Sequence, residues 1–138
     1  MRFSGRIFKT GRFWAIEVPI LGVTTQGRTR KDAFLMIADA IEMLVNKTAV
    51  KVEVYPGQGD YFEIGANDEA VLTAFLLRRQ RTRAGLTLAE VARRLGAPSL
   101  NAYARYEQGR SVPSVAKLTI LLAAVAPKKD FVLAESRA

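Results

Sequence analysis

The sequence predicts an α+β protein of two small domains: a sheet with one helix in residues 1–66, and an all-helical domain in residues 67–138. Two observations indicate this division. Apolar and polar residues alternate in several short runs before Gly65, whereas apolar residues recur at three- and four-residue intervals from Asn67 to Val125. The length of 138 residues suits two such domains, each with a small core.

Alternating runs in the first domain predict strands at residues 3–7, 13–18, 50–55 and 61–64, separated by turns. The Pro/Gly/Thr-rich passage 19–27 also has room for a short strand near 23–26, which would be the third run along the chain. The first two runs form a predicted β-hairpin with its turn at 9–12. After the third run, Thr29 and Asp32 have the spacing of a capping box, and the apolar pattern that follows predicts a helix from Arg30 to Val45.

The composition excludes several classes of site. The chain contains no cysteine and no histidine, which removes disulfides, thiolate nucleophiles, imidazole bases and the common zinc sites. No apolar run approaches the ~20 residues that span a bilayer, and the first fifteen residues carry arginines and Trp14 where a signal peptide would be apolar. We therefore expect a cytoplasmic protein without membrane segment, metal or cofactor.

The basic charge is concentrated in the second domain. The chain has a net charge of +8, of which residues 1–66 contribute +2 and residues 67–138 contribute +6. A basic excess confined to one domain favours a polyanionic partner for that domain.

Four helical segments are predicted in the second domain. They lie at residues 69–83, 87–95, 100–106 and 115–125. Asn67 is expected to cap the first of these helices, Ser99 or Asn101 the third and Ser114 the fourth. Gly96 is expected to adopt the positive φ that ends a helix before a sharp reversal. The inward-facing side chains of the second and third helices are predicted to be Val91, Leu95, Tyr103 and Tyr106.

Several segments of this domain resemble the XRE/Cro-type helix-turn-helix family. They are Gly85-Leu86-Thr87, Glu90-Val91-Ala92-Arg93-Arg94-Leu95-Gly96, Arg105-Tyr106-Glu107-Gln108-Gly109 and Pro113-Ser114. The resemblance covers about fifty residues and implies a dimer on double-stranded DNA, with the start of the third helix in the major groove. The chain departs from the pattern at Leu88, where the family usually has glutamine, and in a turn before the third helix that is one residue longer.

The resemblance implies two groups of DNA-contacting residues. On the third helix, Asn101 is a candidate for an adenine edge, Arg105 for a guanine or a phosphate, and Ala102 for a thymine methyl. The positions left available to DNA are Leu100, Asn101, Ala102, Ala104 and Arg105. The phosphate-contact candidates are Arg81, Arg83, Arg93, Arg110 and the helix amides near Thr87.

The first domain resembles the HicB antitoxin family over residues 1–55. The segment 13–27 carries an aromatic strand, a proline, a glycine and then Thr25-Gln26-Gly27, followed by a helix that opens on Thr29. The resemblance implies a partial ribonuclease-H-like fold whose partner is the small ribonuclease toxin HicA. The family's Pro-Asp-Leu-Pro-Gly loop is shortened here, with no acid and one proline fewer.

Nuclease activity is nevertheless not expected, and the protein is predicted not to be an enzyme. Metal-dependent cleavage of a phosphodiester needs several carboxylates that converge on two ions about 4 Å apart. The first strand carries no acid, and the other acids are scattered and expected to be solvated or ion-paired. These are Glu17, Asp32, Asp39, Glu42, Glu53, Asp60 and Glu63.

The candidates for toxin contact are side chains that a sheet and one helix would not fully use. They are Trp14, Glu17, Gln26, Met36 and Met43. For Leu35, Met36 and Met43 the preferred interpretation is core packing, with an oligomer or toxin contact as the alternative, because methionine suits both settings. Trp14 and Phe13 are likewise expected to belong to the core.

The two resemblances together imply an antitoxin of a HicAB-like system that neutralises a small ribonuclease and represses its own operon. The alternative is a stand-alone XRE-type repressor whose first domain senses a ligand or dimerises. In either case dimerisation is expected to bury the helix at 115–125, with a contribution from the apolar patch at 131–133.

Overall fold

A computed structural model describes all 138 residues and divides them into two compact units. The first unit comprises Met1–Glu69 together with Glu135–Ala138, and the second comprises Ala70–Ala134. The boundary therefore lies three residues beyond the predicted one. The sequence places the last four residues with the second domain, whereas the structure places them in the first unit, where buried Glu63 accepts hydrogen bonds from them.

The first unit is a five-stranded antiparallel sheet with one helix. Its strands are β1 (Phe3–Thr10), β2 (Phe13–Val18), β3 (Val23–Gly27), β4 (Val52–Pro56) and β5 (Tyr61–Ala66), and its helix is α1 (Arg30–Val45). The strand order across the sheet is β3-β2-β1-β5-β4. Every strand and the helix predicted from the alternating and helical patterns is present, and β4 begins two residues later than predicted.

The core of this unit lies between α1 and one face of the sheet. Ile7, Ile16 and Ile64 on the strands are fully buried, as are Ile37 and Ile41 on the helix. Thr29 caps α1 as predicted, since its hydroxyl accepts a hydrogen bond from the Asp32 backbone N–H at 3.0 Å. Gly27 permits the close approach of β3 to the helix, because a Cβ there would lie 2.3 Å from the backbone nitrogen of Ala33.

The prediction that Leu35, Met36 and Met43 pack in the core is wrong. They are 58%, 40% and 77% exposed, respectively, on the side of α1 that faces away from the sheet. A single sheet face covers only one stripe of a helix. That stripe consists of Ala33, Ile37, Ile41 and Val45.

Phe13 also lies outside the core, contrary to expectation. It is 43% exposed, because alternation along β2 places Ile16 and Val18 on the helix side of the sheet and Phe13 on the outer face. Trp14 has the same parity as Ile16 and is half-buried, with the Arg30 guanidinium 5.9 Å from the centre of its ring.

The second unit is helical throughout, as predicted. Its helices are α2 (Glu69–Arg83), α3 (Leu88–Arg94), α4 (Leu100–Glu107) and α5 (Val115–Val125). Ser99, and not Asn101, caps α4, and Ser114 caps α5. Gly96 has a φ of 63°, as expected for the residue that reverses the chain after α3.

The side chain of Asn67, expected to cap α2, instead ties down the segment before β4. Its oxygen accepts a hydrogen bond from the Lys51 backbone N–H, and its amide donates to the Ala49 carbonyl, both at 2.9 Å. No helix in the structure combines the length and the apolar character that crossing a membrane requires.

Candidate nucleic-acid interface

Helices α3 and α4 and the turn between them form a compact pair. Val91 and Ala92 of α3 are buried, together with Tyr103 and Ala104 of α4. Thr87 and Glu90 form a complete capping box at the start of α3, in which each side chain accepts a hydrogen bond from the backbone N–H of the other residue. The start of α3 is therefore fixed by local interactions.

An ion pair joins α2 to the end of α4. The guanidinium of Arg81 donates to both carboxylate oxygens of Glu107, at 2.7 and 2.9 Å, and also to the Leu86 carbonyl at 2.9 Å. The Arg81 side chain is 14% exposed and that of Glu107 is 6% exposed. Hydrogen bonding to Glu107 raises the pKa of Arg81. This pair fixes the C-terminal end of the helix that carries the base-contact candidates.

Tyr103 faces inward, as predicted. Its side chain is 1% exposed, and burial, reinforced by the nearby Glu107 carboxylate, raises the pKa of its hydroxyl. The ring therefore remains neutral in the domain core. Because Tyr103 occupies the inner side of α4, the residues on the other side of the helix point to solvent.

The outer side of α4 presents the predicted base-contact residues. Asn101 and Arg105 are exposed and, being four residues apart, lie on the same helix face. Leu100 is 43% exposed next to them, and Ala102 is half-buried. Ala104, in contrast, is 4% exposed, so its expected availability to DNA is wrong. Its side chain is buried inside the domain and has almost no surface accessible to DNA.

The phosphate-contact candidates fall into two classes. Arg83, Arg93 and Arg110 are exposed. Arg81 has a structural role that sequence reasoning missed, because its guanidinium is committed to Glu107 and Leu86.

Thr87 also has a local role. Its backbone N–H is already bonded to Glu90, whose carboxylate brings negative charge to this helix end. The first-turn amides of α3 that remain as candidates for a phosphate contact are those of Leu88 and Ala89.

An open groove of about 540 Å³ lies beside α5. Its lining residues are Arg94, Leu95, Ile120, Ala123, Ala124 and Pro127. Ile120 is 54% exposed and Val115, on the same helix, is 82% exposed. An apolar surface of this kind on α5 is what the predicted dimerisation through this helix requires, and the dimer itself stays a prediction.

The predicted toxin-contact residues lie in three different places on the first unit. Glu17 and Gln26 have the parity of the outer sheet face, together with the exposed Phe13. Met36 and Met43 lie on the outer side of α1, and Trp14 belongs to the helix side of the sheet. The structure therefore does not bring the five candidates together in one patch. No group of three or more acids approaches closely enough to hold a metal ion.

Comparison with known families gives a match within the second unit. Residues 74–126 match a family described as a helix-turn-helix domain, and the match extends from within α2 to just beyond α5. A search of curated proteins gave no match for the chain. The match, the four helices and the exposed face of α4 together support DNA binding and a regulatory role for this domain.

Proposed function

We propose that the protein is an antitoxin of a HicAB-like system, which represses its own operon through the second unit and neutralises a small basic ribonuclease through the first. The observation that carries the proposal is the pairing of a helix-turn-helix domain with a sheet-and-helix unit whose helix leaves Leu35, Met36, Met43 and Leu44 in solvent. Exposed apolar side chains grouped on one helix are typical of a protein contact.

The DNA-binding half works by docking α4 in the major groove. Asn101 and Arg105 contact base edges there, while Arg83, Arg93 and Arg110 contact phosphates on either side. Two copies joined through α5 place their recognition helices about 34 Å apart, which matches one turn of DNA and a palindromic operator. The exposed Ile120, which lines the groove beside α5, supplies apolar surface for that contact.

The toxin-binding half works by covering the active site of the ribonuclease. A stable complex of this kind buries at least about 1,200 Å² in total. Since both proteins are basic, the contact relies on apolar anchors and local acids rather than on net charge. Met36 and Met43 are the most exposed candidates for such anchors, and Glu17 is the acid among the candidates.

We also propose that the protein itself is not an enzyme and that it acts in the cytoplasm. With magnesium or manganese added, the purified chain is expected to leave RNA intact, because no cluster of acids is available to hold the ions.

The test of the toxin role is coexpression with the gene product encoded next to this one. We expect a neighbouring frame for a basic protein of about sixty to eighty residues, whose growth arrest is relieved by the full chain and which copurifies with it. A chain carrying Arg105→Ala is the control, because it is expected to bind the operator more weakly and still to rescue growth. If no neighbouring product binds, the ligand-sensing or dimerising repressor replaces this proposal, and the DNA-binding half is unaffected.

A further inference from the structure

The carboxylate of Glu63 is buried, although it takes no part in the contacts proposed for α4, α5 and the outer side of α1. Glu63 lies on β5 with a side chain 4% exposed, yet it points to the outer face of the sheet, away from α1. Its cross-strand neighbours are Ser4 on β1 and Tyr55 on β4, which have the same outward parity. A buried carboxyl group needs hydrogen-bonding partners to remain ionised.

The partners of Glu63 come from the C-terminal residues of the chain. One carboxylate oxygen accepts from the hydroxyl of Ser136 at 2.7 Å, and the other accepts from the backbone N–H of Arg137 at 2.9 Å. Tyr61 donates its hydroxyl to the same carboxylate at 2.7 Å, and Arg2 lies 3.4 Å from it. The carboxylate thus holds a hydroxyl and the next backbone N–H at the same time.

The arginine of this dipeptide is bound as well. The guanidinium of Arg137 lies 4.1 Å from the centre of the Tyr61 ring, within the range of a cation–π contact. Gly57 leaves room for the Tyr61 ring, because a Cβ there would lie 2.8 Å from a ring carbon of Tyr61. These contacts together form a site with three elements: an acid for a hydroxyl and an N–H, an aromatic ring for a guanidinium, and a glycine that allows the ring its position.

The charges around Glu63 are consistent with a site held in its ionised form. Burial raises the pKa of Glu63. Hydrogen bonds outweigh that effect and lower the pKa to about 2; the donors are Ser136, Arg137, Tyr61 and Arg2. The same outer face continues past the tail to Phe8 and Phe13, which are 40% and 43% exposed. The dipeptide therefore covers one end of a longer surface and leaves the rest open.

We propose that this end of the outer face is an exchangeable binding site for an arginine-bearing, extended segment of a basic partner protein, and that Ser136-Arg137 occupies it as an internal ligand. The contacts of the tail define the segment that the site binds: a residue with a hydroxyl group, followed by an arginine. Because a tethered ligand has an effective concentration of about millimolar, the tail excludes weaker segments and yields to a partner with additional contacts on the open part of the face.

The test uses the full chain and a synthetic peptide of residues 131–138 as the probe. The variant Ser136→Ala/Arg137→Pro vacates the site, because it removes the hydroxyl, the backbone N–H and the guanidinium that the site holds. We therefore expect it to bind the peptide at least tenfold more tightly than the wild-type chain does, by titration calorimetry. Adding Glu63→Gln to that variant is expected to abolish the binding. Glu53→Gln, an exposed carboxylate on the neighbouring strand, is the matched control and is expected to leave it unchanged.

A second measurement covers the case in which Glu63→Gln disturbs the fold. Hydrogen exchange of the Arg137 amide is expected to be slow in the wild-type chain and at least tenfold faster in Glu63→Gln, while the amides of β1 and β2 keep their protection. Equal exchange in both chains would overturn the proposal, and so would peptide binding that is the same for the wild-type and vacated chains. A protected Arg137 amide together with no peptide binding to the vacated chain would likewise overturn it, since the tail would then be a fixed structural contact.

Discussion

Arg81 and Glu107 form a two-point ion pair that connects α2 to the C-terminal end of α4, with N–O distances of 2.7 and 2.9 Å. Both side chains are largely removed from solvent. A parallel pair of hydrogen bonds between a guanidinium and a carboxylate restricts orientation as well as distance. The position of α4 thus depends on Arg81, a residue that the helix-turn-helix resemblance offers as a phosphate contact.

Arg81→Ala is expected to lower the stability of the helical domain by about 3 kcal/mol, because it leaves the Glu107 carboxylate buried and unpaired. The measurement is urea unfolding followed by the helical signal in circular dichroism. Arg93→Ala is the control, since Arg93 is an exposed arginine of the same helical domain, and it is expected to change stability by less than about 0.5 kcal/mol. Equal effects of the two variants would contradict a structural role for the pair.

Arg105→Ala is expected to weaken operator binding by about 1 to 3 kcal/mol and to relax the sequence preference at one position in each half-site. The reason is that Arg105 is exposed on the outer side of α4, next to Asn101 in the helical repeat. The measurement is binding to a set of operators with single base changes. A loss of the same size on every sequence would make Arg105 a phosphate contact instead.

The affinity for DNA is expected to fall linearly with salt concentration on a double-logarithmic plot, because phosphate contacts release counterions. Arg93→Ala is expected to weaken binding evenly across sequences and to reduce the slope by about 1. Arg81→Ala is the informative comparison, because it removes one positive charge just as Arg93→Ala does. Since Arg81 is committed to Glu107, its effect on affinity is expected to follow the loss of stability and to leave the slope unchanged.

The docking of the C-terminal residues is expected to weaken in acid. The ordinary pKa of a glutamate is 4.5, and that of Glu63 in the folded protein is about 2, so the stabilisation by its ionised form is complete above pH 4.5 and disappears as the pH falls toward 2. The measurement is the amide chemical shift of Arg137 against pH. Glu63→Gln is expected to remove this transition, and its persistence in that variant would assign it to another carboxylate.

The regular elements follow from the sequence because their signals are local. The helix limits at Arg30 and Val45 and the cap at Ser114 depend on side chains within a few residues, and the structure confirms them. Long-range partners leave no such signal. Nothing near Glu63 in the sequence indicates that Ser136 would lie against it, and nothing near Arg81 indicates Glu107, since these pairs are 73 and 26 residues apart.

The wide apolar stripe of α1 led to a wrong prediction for three of its residues. Leu35, Met36 and Met43 are apolar and therefore expected in the core, but the sheet covers only one face of α1. The same sheet separates Glu17 from Met36, although the sequence offers both as contacts for one partner. Which face binds that partner is therefore a question for experiment.

Met36→Lys and Met43→Lys are each expected to weaken the toxin complex at least tenfold while the fold remains intact. The reason is that both side chains are exposed in the free protein, so lysine costs little there, whereas in the complex it would be buried against a basic partner. The measurements are affinity for the purified toxin and urea unfolding followed by the fluorescence of Trp14, the single tryptophan of the chain. Thr48→Lys, an exposed loop position beyond the end of α1, is the control and is expected to change neither quantity. Full affinity in both methionine variants would move the contact to the outer sheet face, where Glu17 and Gln26 become the residues to substitute.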